Sequence, residues 1–142
     1  MPPATTTLRE TSAPEETEAI GEELGRRLRK GDLVLLKGEL GAGKTTFVRG
    51  MARGTGSSAA VASPTFQLVR IYPGRLQLAH VDLYRIENGT ELADVGLDEL
   101  ADDGAVVVEW GDRIEVPDAA LIEIEHLGGD RRLIRTKRDL RH

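Results

Sequence analysis

A chain of 142 residues with few aromatic residues (4%), no cysteine and a formal net charge of −5 is long enough for one aliphatic-core domain and too short for two. The lack of cysteine excludes disulfides and cysteine-bound zinc, as is typical of intracellular proteins. The negative net charge argues against a surface that binds nucleic acid without help from another subunit. No apolar run is long enough to span a membrane. We therefore expect a soluble cytoplasmic domain without a membrane partner.

The N-terminal part of the chain predicts a tail followed by a helix. We expect residues 1–10 to be disordered and the domain to span residues 11–142. Ser12 is the expected N-cap of the first helix, with Glu15 as its capping-box partner. An apolar stripe with a spacing of four residues follows at Ile20, Leu24 and Leu28.

The most informative segment is residues 38–45, which fit G-x-x-x-x-G-K-[ST], a loop that binds nucleoside triphosphate phosphates. Its glycines allow backbone N–H groups to surround the anion, Lys44 would reach the β- and γ-phosphates, and the Thr45 hydroxyl would bind Mg²⁺. The flanking segments support this interpretation of the loop. Residues 32–37 predict a short buried strand before it, and residues 45–52 predict a helix that begins at its end.

The later elements predict a mixed sheet. We expect two hairpins, from residues 66–72 and 76–82 and from residues 121–125 and 131–135. Short helices are expected near residues 91–93 and 97–101, and the β-branched run at residues 105–108 predicts a strand buried on both faces. This order predicts a single three-layer α/β domain of the P-loop NTPase class, with a mixed parallel and antiparallel sheet.

Two acidic residues are candidates for the metal and water chemistry that a phosphate loop requires. Asp82 and Glu109 each end a predicted strand, and ligands of open α/β sheets bind at the carboxyl ends of strands. Each could hold Mg²⁺ or orient the attacking water. The alternative for each is a solvated charge at a strand end.

Three other residues have both a functional and a structural interpretation. Thr65, in a Ser-Pro-Thr turn, could sense the γ-phosphate or only form the turn. His80 could be a catalytic base or a packed strand residue. Trp110 could border the nucleotide or a partner, or pack at the rim of the core.

A weak guanine-binding pattern, [NT]-K-x-D, occurs at residues 136–139. No D-x-x-G sequence accompanies it anywhere in the chain. We therefore interpret the match as a coincidence and take adenine as the default base.

Together these motifs resemble one family, the small bacterial P-loop ATPases called TsaE (also YjeE), which take part in making threonylcarbamoyladenosine in tRNA. The resemblance runs from about residue 15 to residue 135. It depends on the phosphate loop, on Ser-Pro-Thr-Phe at residues 63–66, on His-Val-Asp-Leu-Tyr-Arg at residues 80–85 and on the Glu109-Trp110 pair. The last two motifs are more specific to the family than the loop alone.

The resemblance implies a set of site residues and partners. ATP would be bound by Gly38, Glu39, Leu40, Gly41, Ala42, Gly43, Lys44, Thr45 and Thr46, with Thr65 in a nucleotide-sensing switch. Thr45 and Glu109 would hold Mg²⁺, and Asp82 would act near the γ-phosphate or the metal. The catalytic set would be Lys44, Asp82 and Glu109. The implied activity is a weak or partner-dependent ATPase that supports subunits of the TsaD and TsaB type and meets tRNA only indirectly.

Two other functions are compatible with a phosphate loop. A small-molecule kinase would use the same loop, but residues 50–62 are too few for a lid domain over an acceptor. A nucleotide-gated interaction protein would bind ATP and barely hydrolyse it. The sequence does not separate this second function from an ATPase.

Overall fold

The computed structural model describes residues 7–39, 43–58, 69–83, 96–109, 116, 118–140 and 142. Within them lie seven strands and three helices. In chain order these are β1 (Thr7–Thr11), α1 (Pro14–Arg27), β2 (Leu33–Lys37), α2 (Lys44–Gly54), β3 (Val69–Tyr72), β4 (Leu78–Asp82), α3 (Leu97–Asp103), β5 (Ala105–Glu109), β6 (Ala120–Gly128) and β7 (Arg131–Arg138). None of these helices is long and apolar enough to cross a membrane.

The strands form one mixed sheet in the order β1-β7-β6-β2-β5-β4-β3. Its centre is parallel, since β2 pairs in parallel with β5 and β6, and β4 with β5. Its flanks are antiparallel, through the β3–β4 and β6–β7 hairpins and the β1–β7 pair. The predicted α/β class, mixed sheet and two hairpins are confirmed. The predicted strand residues 66–68 and the predicted helix at residues 91–93 lie outside the described residues.

Helices cover both faces of the sheet, which gives the predicted three layers. The core between the sheet and the α1–α2 pair includes Leu24, Leu36, Phe47, Met51 and Val107. The core on the other face includes Leu35, Val106 and Val108, against which Leu97 and Leu100 of α3 pack. Strand β5 is buried along its whole length, as its continuous apolar run predicts.

The N-terminal segment is more ordered than its sequence predicts. Strand β1 pairs antiparallel with β7, so the prediction of a disordered tail over residues 1–10 is wrong for residues 7–10. Residues 1–6 lie outside the described part of the chain. The buried hydroxyls of Thr11 and Thr17 share a hydrogen bond of 2.7 Å, which joins β1 to α1. Pairing with the last strand of the chain is a tertiary effect that local patterns do not reveal.

Helix α1 begins one residue later than predicted. Its N-cap is Ala13, which has no capping side chain, rather than Ser12 with Glu15. Instead, the Glu16 carboxylate accepts a hydrogen bond of 3.1 Å from the Ser12 backbone N–H. The residue before a proline is driven into an extended conformation, and Ala13 has φ −149° and ψ 153°. The extended residue before Pro14 therefore becomes the N-cap.

Helices α1 and α2 pack through two pairs of glycines, Gly21 and Gly25 on α1 and Gly50 and Gly54 on α2. A Cβ added at any of the four would overlap a backbone carbonyl oxygen of the facing helix; at Gly50 this is the oxygen of Glu18. Only glycine therefore permits this backbone separation. The contact fixes α2, the helix that follows the phosphate loop.

The substitution Gly50→Ala should lower the free energy of unfolding by about 2–3 kcal/mol, because the added methyl group forces the two helix backbones apart. Urea unfolding of both proteins measures this change. Arg49→Ala, at the exposed neighbouring position of the same helix, is the control and should change stability by less than about 0.5 kcal/mol. Equal stability of Gly50→Ala and the unsubstituted protein would contradict the close helix contact.

Candidate nucleotide-binding site

The phosphate loop connects the carboxyl end of β2 to the first residue of α2, Lys44. Gly43 is the N-cap of α2 and has φ 104°, a left-handed conformation that glycine adopts without strain. Its carbonyl oxygen accepts the first helical hydrogen bond, 3.0 Å from the Phe47 N. The predicted strand before the loop and the predicted helix after it are confirmed, while Leu40, Gly41 and Ala42 of the loop lie outside the described residues.

Lys44 is buried with its charge beside the helix N-terminus. Only 6% of the residue is exposed, and its ammonium group donates hydrogen bonds to the carbonyl oxygens of Gly38 and Glu39, the latter at 3.3 Å. An ammonium ion and the positive end of a helix dipole in one place favour a bound anion. Thr45 and Thr46 follow in the first turn and are half-buried.

The sheet register brings the two candidate carboxylates to the same rim. Asp82 is the register partner of Glu109 across β4 and β5, and Glu109 is the partner of Leu36 across β5 and β2. Leu36 is two residues before Gly38, so both acidic residues lie at the strand ends from which the phosphate loop begins. Glu109 is only 3% exposed, whereas Asp82 is half-buried.

A buried histidine contacts Glu109. His80 has no exposed surface, and its Nε2 lies 2.5 Å from Glu109 Oε2. The His80 ring also lies near that of Tyr72, with 6.1 Å between the ring centroids. Of the two interpretations of His80, the packed residue fits the structure, because the ring has no access to solvent. Sequence reasoning missed the contact with Glu109; the two-residue spacing places His80 on the same face of β4 as Asp82 but does not give the register to β5.

Arg132 is a second residue that sequence reasoning missed. A Cβ built on Gly43 would lie 3.3 Å from Arg132 Nε, so this side chain packs directly on the phosphate loop. Its Nη1 donates hydrogen bonds to the carbonyl oxygens of Gly129 (2.8 Å), in the β6–β7 turn, and of Arg131 (3.0 Å), the first residue of β7. No local pattern indicates this contact, because it depends on the tertiary placement of β7.

The remaining predicted residues divide into two groups. Thr65 and Trp110 lie outside the described residues. The guanine-like residues Thr136 and Lys137 lie within β7, where Thr136 pairs with Ile122 of β6. A base-reading loop does not occur at that position, which supports interpreting the match as a coincidence.

The residues at the rim fit a nucleotide-bound Mg²⁺ better than a metal held by protein alone. No cluster of three or more His, Cys, Asp or Glu side chains that could hold a metal occurs among the described residues. Mg²⁺ characteristically takes only one or two protein oxygens, together with substrate phosphates and waters. Glu109 could supply a buried carboxylate at this rim, and its contact with His80 involves only one of the two carboxylate oxygens, Oε2. Thr45 can supply the hydroxyl.

Comparisons with known proteins identify the family. The family model for TsaE, the threonylcarbamoyl adenosine biosynthesis protein, matches residues 11–135. A tRNA threonylcarbamoyladenosine biosynthesis protein TsaE from Streptomyces coelicolor is 44% identical, over 78% of this chain and 80% of that protein. The protein of the same name from Bacillus subtilis is 44% identical over 87% of this chain and 80% of its own.

A solved structure agrees with these sequence matches. The crystal structure of YdiB from Bacillus subtilis superposes with a TM-score of 0.79 at 35% identity and covers 96% of this chain and 87% of that one. The predicted resemblance is therefore confirmed in sequence and in fold. The chain belongs to the TsaE family.

Proposed function

We propose that this chain is a cytoplasmic, Mg²⁺-dependent ATPase that serves the formation of threonylcarbamoyladenosine in tRNA as an accessory protein. The observation that carries the proposal is the register of β2, β5 and β4, which brings Glu109 and Asp82 to the rim where the loop with Lys44 begins. Membership of the TsaE family connects that site to tRNA modification.

Each residue of the site has a distinct task in ATP hydrolysis. Lys44 would exchange its carbonyl partners for phosphate oxygens and stabilise the charge that develops on the transferring phosphoryl group. The oxygens of Thr45 and Glu109 would hold Mg²⁺, which neutralises charge on the phosphates when bound. Asp82, at the same rim and half-buried, would act on the attacking water or near the γ-phosphate.

The charge of the chain supports an indirect role toward tRNA, and the family resemblance supplies the proposed partners. The chain carries a net charge of −5 and offers one small domain, which favours an ATPase cycle that acts through other subunits over direct work on tRNA. We propose subunits of the TsaD and TsaB type as those partners.

The isolated protein should bind tRNA weakly at physiological salt. Tight, salt-sensitive binding of tRNA by this protein alone would contradict an indirect role.

An assay of ATP turnover with and without partner subunits tests the proposal. We expect slow release of free phosphate by the isolated protein and at least a severalfold increase when TsaD- and TsaB-type subunits are present. The reaction must stop when EDTA removes Mg²⁺. Transfer of labelled phosphate to a metabolite would indicate a kinase, and tight ATP binding without turnover under either condition would indicate a nucleotide-gated interaction protein. Either outcome would overturn the ATPase assignment.

A further inference from the structure

His80 and Glu109 form a buried polar pair, of which the proposed catalytic roles use only Glu109. The two residues are 0% and 3% exposed, and the separation of His80 Nε2 and Glu109 Oε2 is 2.5 Å. The other ring nitrogen of His80, Nδ1, is buried and has no hydrogen-bond partner among the described residues. An apolar residue at this position would avoid the unpaired ring nitrogen but would remove the hydrogen bond to Glu109 Oε2.

The chemistry of the pair fixes the direction of its hydrogen bond. A carboxylate that binds a metal is ionised and only accepts hydrogen bonds, so with Glu109 as a metal ligand His80 Nε2 would be the donor and Glu109 Oε2 the acceptor. The bond runs diagonally across β4 and β5, because Asp82, two residues after His80, is the register partner of Glu109. It therefore restrains the Glu109 side chain at the rim. The contact engages Oε2, so Oε1 is the carboxylate oxygen that His80 does not occupy.

Stability alone gives a weak reason for this arrangement. Burying a carboxylate is costly, and one hydrogen bond from a ring with an unpaired second nitrogen offsets that cost only in part. Structural rules are more often broken where a residue has a functional task. Hydrogen bonds from a neighbouring side chain commonly orient the residues that bind a metal.

We propose that His80 is a positioning residue that holds Glu109 Oε2 and so leaves Oε1 oriented to bind the Mg²⁺ of a bound nucleotide. This inference rests on the proposed function, since it takes Glu109 as the metal ligand. His80 itself touches neither the nucleotide nor the metal. Its effect is expressed through the orientation of one carboxylate.

Three variants separate positioning from packing. His80→Leu removes the donor, His80→Gln returns an N–H to nearly the position of Nε2, and Thr17→Val is the control. The control also removes one buried side-chain hydrogen bond, but it lies between α1 and β1, away from the rim. The quantity to measure is the ratio of ATP affinity in saturating Mg²⁺ to ATP affinity in EDTA.

We expect His80→Leu to lower this ratio by about 10- to 100-fold, as is typical when the hydrogen-bond partner of a metal ligand is removed. His80→Gln should recover most of the loss, and Thr17→Val should leave the ratio unchanged. ATP affinity in EDTA should be the same in all four proteins, because the phosphate loop is intact. Equal losses in His80→Leu and His80→Gln would reduce His80 to a packing residue and overturn the inference.

A double-mutant cycle tests whether the effect passes through Glu109. If it does, adding His80→Leu to Glu109→Gln should produce no further loss of the affinity ratio. A loss in Glu109→Gln without one in His80→Leu would overturn the positioning role and leave the proposed function intact. No loss in either variant would overturn both.

A spectroscopic measurement needs neither metal nor nucleotide and remains informative if His80→Leu does not fold. In protein labelled with ¹⁵N-histidine, the proton on His80 Nε2 should resonate downfield of a free imidazole N–H, as expected for a buried hydrogen bond to a carboxylate. It should move upfield in Glu109→Gln, in which the acceptor is a neutral amide. A resonance at the position of a free imidazole in the unsubstituted protein would contradict the inference.

Discussion

Replacement of Lys44 by alanine should lower ATP turnover by about 100- to 1000-fold or more, since one preorganised charge that stabilises a transition state typically contributes this much. Lys44 is buried, and its ammonium group donates to the carbonyl oxygens of Gly38 and Glu39 at the loop. Alanine removes the side-chain cation and leaves the helix dipole as the main attraction for phosphate. Lys44 is also the first residue of α2, where alanine is an acceptable helix former, so the fold should persist.

Turnover and circular dichroism of Lys44→Ala, measured beside Lys30→Ala, provide the test. Lys30 is exposed and precedes β2, at the end of that strand opposite the loop, so its substitution removes the same charge without touching the site. We expect full turnover in Lys30→Ala and the loss only in Lys44→Ala. Normal turnover in Lys44→Ala would remove this loop from the mechanism.

The substitutions Glu109→Gln and Asp82→Asn should impair different steps, Mg²⁺–ATP binding in the first and ATP turnover in the second. Glu109→Gln should weaken binding of Mg²⁺–ATP by about tenfold or more, because a neutral amide is a poorer ligand for a hard cation. The amide oxygen can still accept the hydrogen bond from His80, so the fold should be retained. Asp82→Asn should leave binding nearly unchanged and lower turnover by about 100-fold or more, as expected for a group that handles a proton in the transition state.

The measurement is a pair of Mg²⁺–ATP affinities beside a pair of hydrolysis rates. Glu10→Gln serves as the control, because Glu10 is exposed and its carboxylate pairs with Arg131, which has no role in the proposed site. If Asp82→Asn loses binding and Glu109→Gln loses only rate, the two roles are exchanged. If neither variant changes either quantity, both residues are simply charges at strand ends.

The parts of the fold that local patterns encode were predicted from the sequence. The phosphate loop, its flanking strand and helix, and both hairpins have short-range signals in glycines, apolar alternation and turn residues. The buried strand β5 has one too, in its unbroken run of small and β-branched residues. Because parallel strands share a carboxyl rim, the neighbourhood of Asp82, Glu109 and the loop also followed from the sequence.

Features that depend on distant contacts were not predicted. Strand β1 forms because it pairs antiparallel with the edge of β7, and no pattern within residues 7–11 indicates that partner. The packing of Arg132 on Gly43 also depends on where β7 lies in the folded sheet. The His80–Glu109 hydrogen bond needs the register between β4 and β5, which a single sequence does not give. The glycine contact between α1 and α2 likewise becomes visible only when the helices are packed.

The most direct test of the account is the formation of threonylcarbamoyladenosine on tRNA in a reconstituted system with TsaD- and TsaB-type subunits. Three reactions are compared: one without this protein, one with it, and one with Lys44→Ala. Incorporation of labelled threonine into tRNA over many turnovers is the readout. The account predicts sustained modification only with the unsubstituted protein and ATP–Mg²⁺. Equal modification in all three reactions would contradict the central claim that ATP hydrolysis at this loop supports tRNA modification.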